Sequence, residues 1–167
     1  EVDDVEYKKI YEAIKNAIDS INNYRKDEGA MIEKDFLMRT KTLLKLLDQV
    51  SEMDPQRIDI VKERLRKAIS ELKESVDENR FEQELIYYLE KYDITEELVR
   101  LKNHLNYFNE ALDSNISNGK KLGFICQEMG REINTIGSKS NFAPMQQLVV
   151  QMKDELEKIK EQSLNVL

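Results

Sequence analysis

The stretch Leu122-Gly123-Phe124-Ile125-Cys126-Gln127-Glu128-Met129-Gly130-Arg131-Glu132-Ile133-Asn134-Thr135-Ile136 decides how the rest of the chain is read. Turned by about 100° per residue, it puts Leu122, Ile125, Cys126, Met129, Ile133 and Ile136 on one arc about 100° wide. A second arc collects charge: Lys121, Glu128, Arg131, Glu132 and Lys139, with Phe124 and Thr135 among them. A third, narrow arc holds Gly119, Gly123, Gly130 and Gly137, beside Gln127 and Asn134. The alternation of a strand is missing. The segment is therefore an amphipathic helix, predicted from about residue 119 to 136 and ended by Gly137.

The flanking sequence repeats this period. Upstream, Leu98, Leu101, Leu105, Phe108 and Leu112 form the stripe of a helix that Thr95 caps, with Glu96 and Glu97 in its first turn. Downstream, Pro144 opens a helix with Met145, Leu148, Met152, Leu156, Ile159 and Val166 facing inward. Asp77 is placed to cap a helix carrying Phe81, Leu85, Leu89 and Tyr92. Residues 4–51 read as one helix of about 48 residues, about 70 Å long, running through Gly29, since neither Pro nor a cap cluster accompanies that glycine. Its stripe includes Tyr11, Ile14, Ile18 and Ile21, then Ile32, Phe36, Leu43, Leu46, Val50 and Met53. Asp54-Pro55 starts a new helix, with Ile58, Val61, Leu65, Ile69, Leu72 and Val76 facing back as an antiparallel hairpin. The fold class expected is all-α: a long helical hairpin over residues 1–83, then a small helical domain over residues 84–167. The hairpin cannot bury its stripe alone, so it needs the second half, further sequence or another subunit.

Composition agrees. Of 167 residues, 40% are hydrophobic and 35% charged, with only five Gly and two Pro. That is the make-up of long amphipathic helices and too poor in turn residues for an all-β fold. The net charge of −7, with neither half basic, argues against nucleic acid, though residues 118–140 carry a local excess of positive charge; Arg100 and Lys102 are too sparse for a groove-binding helix, and no DNA is expected. No apolar run approaches the roughly 18 residues of a membrane helix and no signal peptide is visible, so a cytoplasmic protein without a membrane partner is expected. P-loop, dinucleotide and nucleophile-elbow motifs are missing.

Candidate chemistry concentrates on the charged arc. Glu128 and Glu132 are like charges one turn apart, which costs an isolated helix about 0.2–0.5 kcal/mol. A divalent cation between them would reverse that sign, and magnesium favours one or two carboxylates with water and phosphate oxygens. Arg131 and Lys139 could hold the phosphates. Equally, Arg131 and Lys121 could neutralise the pair as a salt-bridge cluster. His104, between Leu101 and Phe108, reads either as a half-buried packing residue or as a proton carrier. It is the chain's lone histidine, so acid–base cleavage by two histidines cannot occur within one chain. Cys126, the lone cysteine, lies on the apolar arc and reads as packing.

The run from Lys121 to Lys139, with Lys121-Leu122, Phe124, Gln127-Glu128, Arg131-Glu132 and Asn134-Thr135-Ile136-Gly137-Ser138-Lys139, closely resembles the signature of the YicC-like family. Two further stretches are similar to that family: Thr95-Glu96-Glu97-Leu98 with Arg100-Leu101 and His104-Leu105, and the ending from Lys153 to Gln162. Asp27-Glu28-Gly29-Ala30 within a long helix also fits. Gly123 and Gly130 depart from the family pattern, which usually has Asp and Asn there.

The resemblance implies a fragment lacking most of a larger amino-terminal domain. It implies a metal-dependent endoribonuclease acting on single-stranded RNA and assembled as a homo-oligomer, a hexamer. On this resemblance Glu128 and Glu132 would hold Mg or Mn, and His104 would act with them in catalysis. Arg100, Lys121, Arg131, Asn134, Ser138 and Lys139 would meet RNA and its phosphates. The alternatives are a non-catalytic oligomeric RNA-binding or adaptor protein and a structural helical assembly protein. Gly123 and Gly130 are expected to let another backbone approach α-helical residues 119–136 closely.

Overall fold

The structure is a computed structural model that describes residues 3–71, 78–114 and 119–166. Among them there is no strand. The order is α1 (Asp4–Glu71), α2 (Glu78–Lys91), α3 (Thr95–Leu112), α4 (Gly119–Lys139) and α5 (Ala143–Ser163). The expected all-α class is what is found. The expected stripe and cap residues Leu72, Val76 and Asp77, with the Ile69 side chain, lie outside the described residues. The chain divides into two compact units, Glu1–Leu37 and Met38–Leu167.

The first unit is helix. Asp3 begins it, its Oδ1 accepting hydrogen bonds from the backbone N–H groups of Val5 at 2.7 Å and Glu6 at 2.8 Å. That satisfies two of the donors a helix start leaves over. The helix runs through Gly29 as expected. Tyr11, Ile14, Ile18 and Ile21 are all more than half exposed.

In the second unit α1 does not stop at Pro55. The helix continues through it to Glu71, so the antiparallel hairpin expected to turn at Asp54-Pro55 does not form there. A proline inside a helix removes one hydrogen bond and costs about 3 kcal/mol in a generic context. Packing on both sides outweighs that loss. Before the proline, Leu43, Leu46, Leu47 and Val50 are buried. After it, Arg57 is 4% exposed. Its guanidinium donates to Asp54 Oδ1 at 2.8 Å and to the carbonyls of Tyr92 at 2.9 Å and Lys139 at 3.5 Å. Charge-assisted bonds of this kind each contribute about 1.5–3 kcal/mol. Past the proline, Arg57, Ile58 and Val61 of α1 line a small pocket together with Tyr88, Leu89 and Tyr92.

The core lies between α3, α4 and α5, with α4 touching both neighbours. Leu101, Leu105 and Phe108 of α3, all six residues of the apolar arc of α4, and Met145, Met152, Leu156 and Ile159 of α5 are buried. Thr40 Oγ1 donates to Asn109 at 2.9 Å and Arg39 pairs with Glu155 at 3.1 Å, tying α1 to α3 and α5.

Gly119 opens α4 as expected, but its other glycines depart from expectation. The helix passes through Gly137 and ends at Lys139. A Cβ on Gly137 would stand 3.0 Å from Val149 Cγ1, and one on Gly119 only 2.8 Å from the Val166 carbonyl oxygen. These two positions permit close approach. Gly123, expected to do so, faces open space, and Gly130 is in ordinary contact with Leu156. A helical wheel gives direction but not distance, which depends on where the neighbour sits.

Candidate functional site

The site grows from the contact of α3 with α4. On α3, Glu97, Arg100 and His104 share one face at spacings of three and four. On α4, Glu128 and Glu132 share another. Leu101, Leu105 and Phe108 of α3 and Leu122, Met129 and Ile133 of α4 are buried where the two helices pack together, with these charged residues beside them.

Glu132 is at the centre. It is 8% exposed. Burial pushes its carboxyl above the usual glutamate range; the charges of Arg100 and His104 pull it down, while Glu97 and Glu128 add to the rise. Glu132 therefore lies within electrostatic reach of all four groups. A carboxyl so placed is poised to gain from a cation or to carry a proton.

Glu97 is buried at 6%. Its Oε1 accepts a 2.8 Å bond from the Lys139 ammonium, while its Oε2 is buried with no hydrogen-bond partner. Lys139 also donates to the Asp93 carbonyl at 2.8 Å, so its ammonium pins the end of α4 to the start of α3. Asp93 organises that start: its Oδ1 accepts the Thr95 N–H at 3.0 Å and the Thr95 hydroxyl at 2.7 Å. These bonds from Thr95 hold the Asp93 carboxyl below its usual range. Thr95 is thus the first helical residue rather than the cap, and Ile94 is the N-cap.

Glu128 is half-buried and its Oε1 lies 3.0 Å from the Arg131 guanidinium, without hydrogen-bond geometry. Arg131 therefore does take part in neutralising the carboxylates, as one sequence reading allowed. Lys121 does not: its ammonium sits 4.3 Å over the Tyr107 ring. Arg100 pairs with Glu96 at 2.5 Å on the surface. Asn134 and Ser138 are exposed on α4, the Ser138 hydroxyl donating to the Thr135 carbonyl at 2.9 Å. His104 is half-buried.

The structure thus brings together Arg100, His104, Glu128 and Glu132, and places Lys139 on Glu97 beside them. Arg131 joins at the edge. Lys121, Asn134 and Ser138 stand apart. Glu97 and Arg57 were missed in the sequence. For Glu97 the signal was present, since Glu97, Arg100 and His104 lie within one helical face; its position in the first turn gave it a sufficient reason to be acidic. Arg57 carried no signal, because its partners are backbone carbonyls distant in the chain.

The donor set suits a cation in part. Two buried carboxylate oxygens lack hydrogen-bond partners, on Glu97 and Glu128. Among the described residues no group of three His, Cys, Asp or Glu is placed to hold a metal unaided. An ion here would need water, phosphate or another chain to complete its shell, which is how magnesium is commonly held. Cys126 is buried in the core and burial pushes its thiol up to about 11, so it is a packing residue as expected. Among the described residues no helix is long and apolar enough to cross a membrane.

The profile of the family described as "Endoribonuclease YicC-like, C-terminal" matches residues 50–167. A relative from Clostridioides difficile named "Probable endoribonuclease YicC" is 36% identical over 99% of this chain and 58% of its own length. Another of the same name, from Haemophilus influenzae, is 31% identical over 83% of this chain and 48% of its own length. The chain spans about half the length of these curated relatives. The family match covers all of α2 to α5 and with them every residue of the α3–α4 face, so this chain belongs to the YicC-like endoribonuclease family.

Proposed function

We propose that the α3–α4 face serves an endoribonuclease that hydrolyses phosphodiester bonds of single-stranded RNA with a divalent cation, Mg or Mn. The supporting observation is the buried Glu132, raised by burial and ringed by Arg100, His104, Glu97 and Glu128. Both relatives are named probable endoribonucleases, which supports the endoribonuclease part of the reading. The reading includes a cytoplasmic protein acting as a homo-oligomer of six copies.

Glu128 and Glu132 are the residues that would hold the ion. A bound divalent ion supplies Lewis acidity toward a phosphoryl oxygen and a more acidic water. His104 is the proton carrier, the chain's lone imidazole and electrostatically linked to Glu132. Arg131, 73% exposed at its side chain, binds a phosphate oxygen. Lys139 uses two of its three donors on Glu97 and the Asp93 carbonyl, leaving one for phosphate. Arg100, Lys121, Asn134 and Ser138 make outer contacts to the RNA backbone.

The test incubates a labelled single-stranded RNA with the protein and Mg or Mn. Cleavage that stops on adding EDTA and returns with metal supports the reading; cleavage indifferent to EDTA overturns it. A second reading has its own observation, since Arg131 already pairs with Glu128 and no three-ligand cage is built among the described residues. In that reading the chain is an RNA-binding adaptor, and RNA is bound but never cut. An intact oligomer that neither binds nor cuts RNA is a structural assembly protein.

A further inference from the structure

Phe124 lies on the charged arc of α4 and is 61% exposed. Its own helix stripe has no use for it: Leu122, Ile125 and Cys126 fill the core on the other side. The neighbouring residue Gly123 adds no side chain, and a Cβ built there would have nothing within 4 Å. One turn earlier Lys121 is held over the ring of Tyr107, itself 46% exposed. Aromatic and cationic groups therefore alternate along this edge of the α3–α4 face.

The spacing relates the ring to the carboxylates. Glu128 follows Phe124 by four residues, about 6 Å of rise, and Arg131 follows by seven, about 10.5 Å along the same line of the helix. A nucleotide's base and its own phosphate are separated by about one helical turn, which is the Phe124–Glu128 spacing. A base lying on the Phe124 ring thus puts its phosphodiester beside Glu128, with the Arg131 guanidinium further along for the next phosphate. Every base has a π-face, so an open aromatic ring accepts any unpaired base, whereas bases stacked inside a duplex cannot reach it.

The geometry points to Phe124 as the stacking platform for an unpaired RNA base, one turn before Glu128, with Arg131 on a flanking phosphate. This rests on the reading of the α3–α4 face as an RNA site. It makes Phe124 the residue that selects single strands over duplex, and it leaves base identity unread.

The chain contains no tryptophan, so Phe124→Trp introduces a lone indole at the ring position. Its emission is titrated with a fluorescein-labelled oligouridylate of about a dozen nucleotides, within the usual single-strand site sizes. EDTA is present so that the RNA stays intact, and label anisotropy reports binding independently. Stacking predicts quenching by the single strand and none by a duplex of the same length. Phe124→Ala is expected to weaken single-strand binding about tenfold or more, and Phe124→Tyr to restore it. If the oligonucleotide binds the alanine variant as it binds the parent, or binds without quenching, the platform is refuted while the RNA site stands. If Phe124→Ala instead lowers the oligomer mass and leaves RNA binding unchanged, the ring is a subunit contact and the proposal fails. If the unsubstituted chain binds no RNA, the platform and the RNA site both fall.

Discussion

Two helical stripes with the same spacing meet opposite fates. Tyr11, Ile14, Ile18 and Ile21 of α1 follow a three–four repeat and are 52–58% exposed. Leu122, Ile125, Met129, Ile133 and Ile136 of α4 follow it too and are 0–2% exposed. Periodicity fixes which side of a helix is apolar. It does not supply the neighbour that buries it. In α4 the neighbours are α3 and α5, close in sequence and joined by short connections. In α1 the expected neighbour was a hairpin partner beginning at Pro55, and the helix runs on instead.

The largest effects should separate these stripes. Ile133→Ala is expected to cost about 3 kcal/mol in urea unfolding, whereas Ile18→Ala should stay within about 0.5 kcal/mol. An equal loss at Ile18 would show that the α1 stripe is covered in solution. Next comes the ion pair on α3 and α4. Lys139→Met leaves Glu97 as a buried carboxylate without its cation and should cost about 2 kcal/mol, less than a fully buried pair because Lys139 is 29% exposed. Adding Glu97→Gln should recover most of that loss, and a double-mutant cycle reads the recovery directly.

The glycines of α4 give a smaller contrast with opposite signs. Gly123→Ala enters open space and should stabilise by about 1 kcal/mol. Gly119→Ala drives a Cβ against the Val166 carbonyl and should destabilise. Thermal midpoints of the two variants decide it. Smallest is Glu132→Gln. Burial raises the Glu132 carboxyl, so the folded chain binds that proton more tightly than the unfolded chain does. The parent therefore gains stability as pH falls through the raised value, and glutamine does not. Glu132→Gln should be the more stable protein at neutral pH, and its advantage should vanish as pH approaches glutamate's ordinary 4.5.

What could be read from the sequence divides along the same line. The helices from Thr95 onward, most of their buried faces and Pro144 near the start of α5 were legible because the local period agrees with the packing, whereas the caps were not, since Ile94 rather than Thr95 is the N-cap and α4 runs through Gly137. Pro55 was misread because a helix breaker is a local signal, and tertiary anchoring by Arg57 overrides it. Glu128, Glu132 and His104 were legible as candidates through spacing. That Glu132 is buried, that Lys139 is engaged by Glu97, and that Lys121 is turned to Tyr107 depend on how α3 meets α4. No property of either helix alone contains them.

We propose that the carboxylates of the α3–α4 face work with a divalent cation on RNA, and the sharpest check is cleavage of labelled single-stranded RNA in Mn²⁺ by the Glu128→Gln/Glu132→Gln double variant, with RNA binding measured in parallel. Cleavage should be lost while binding persists. Cleavage at the unsubstituted rate would contradict it.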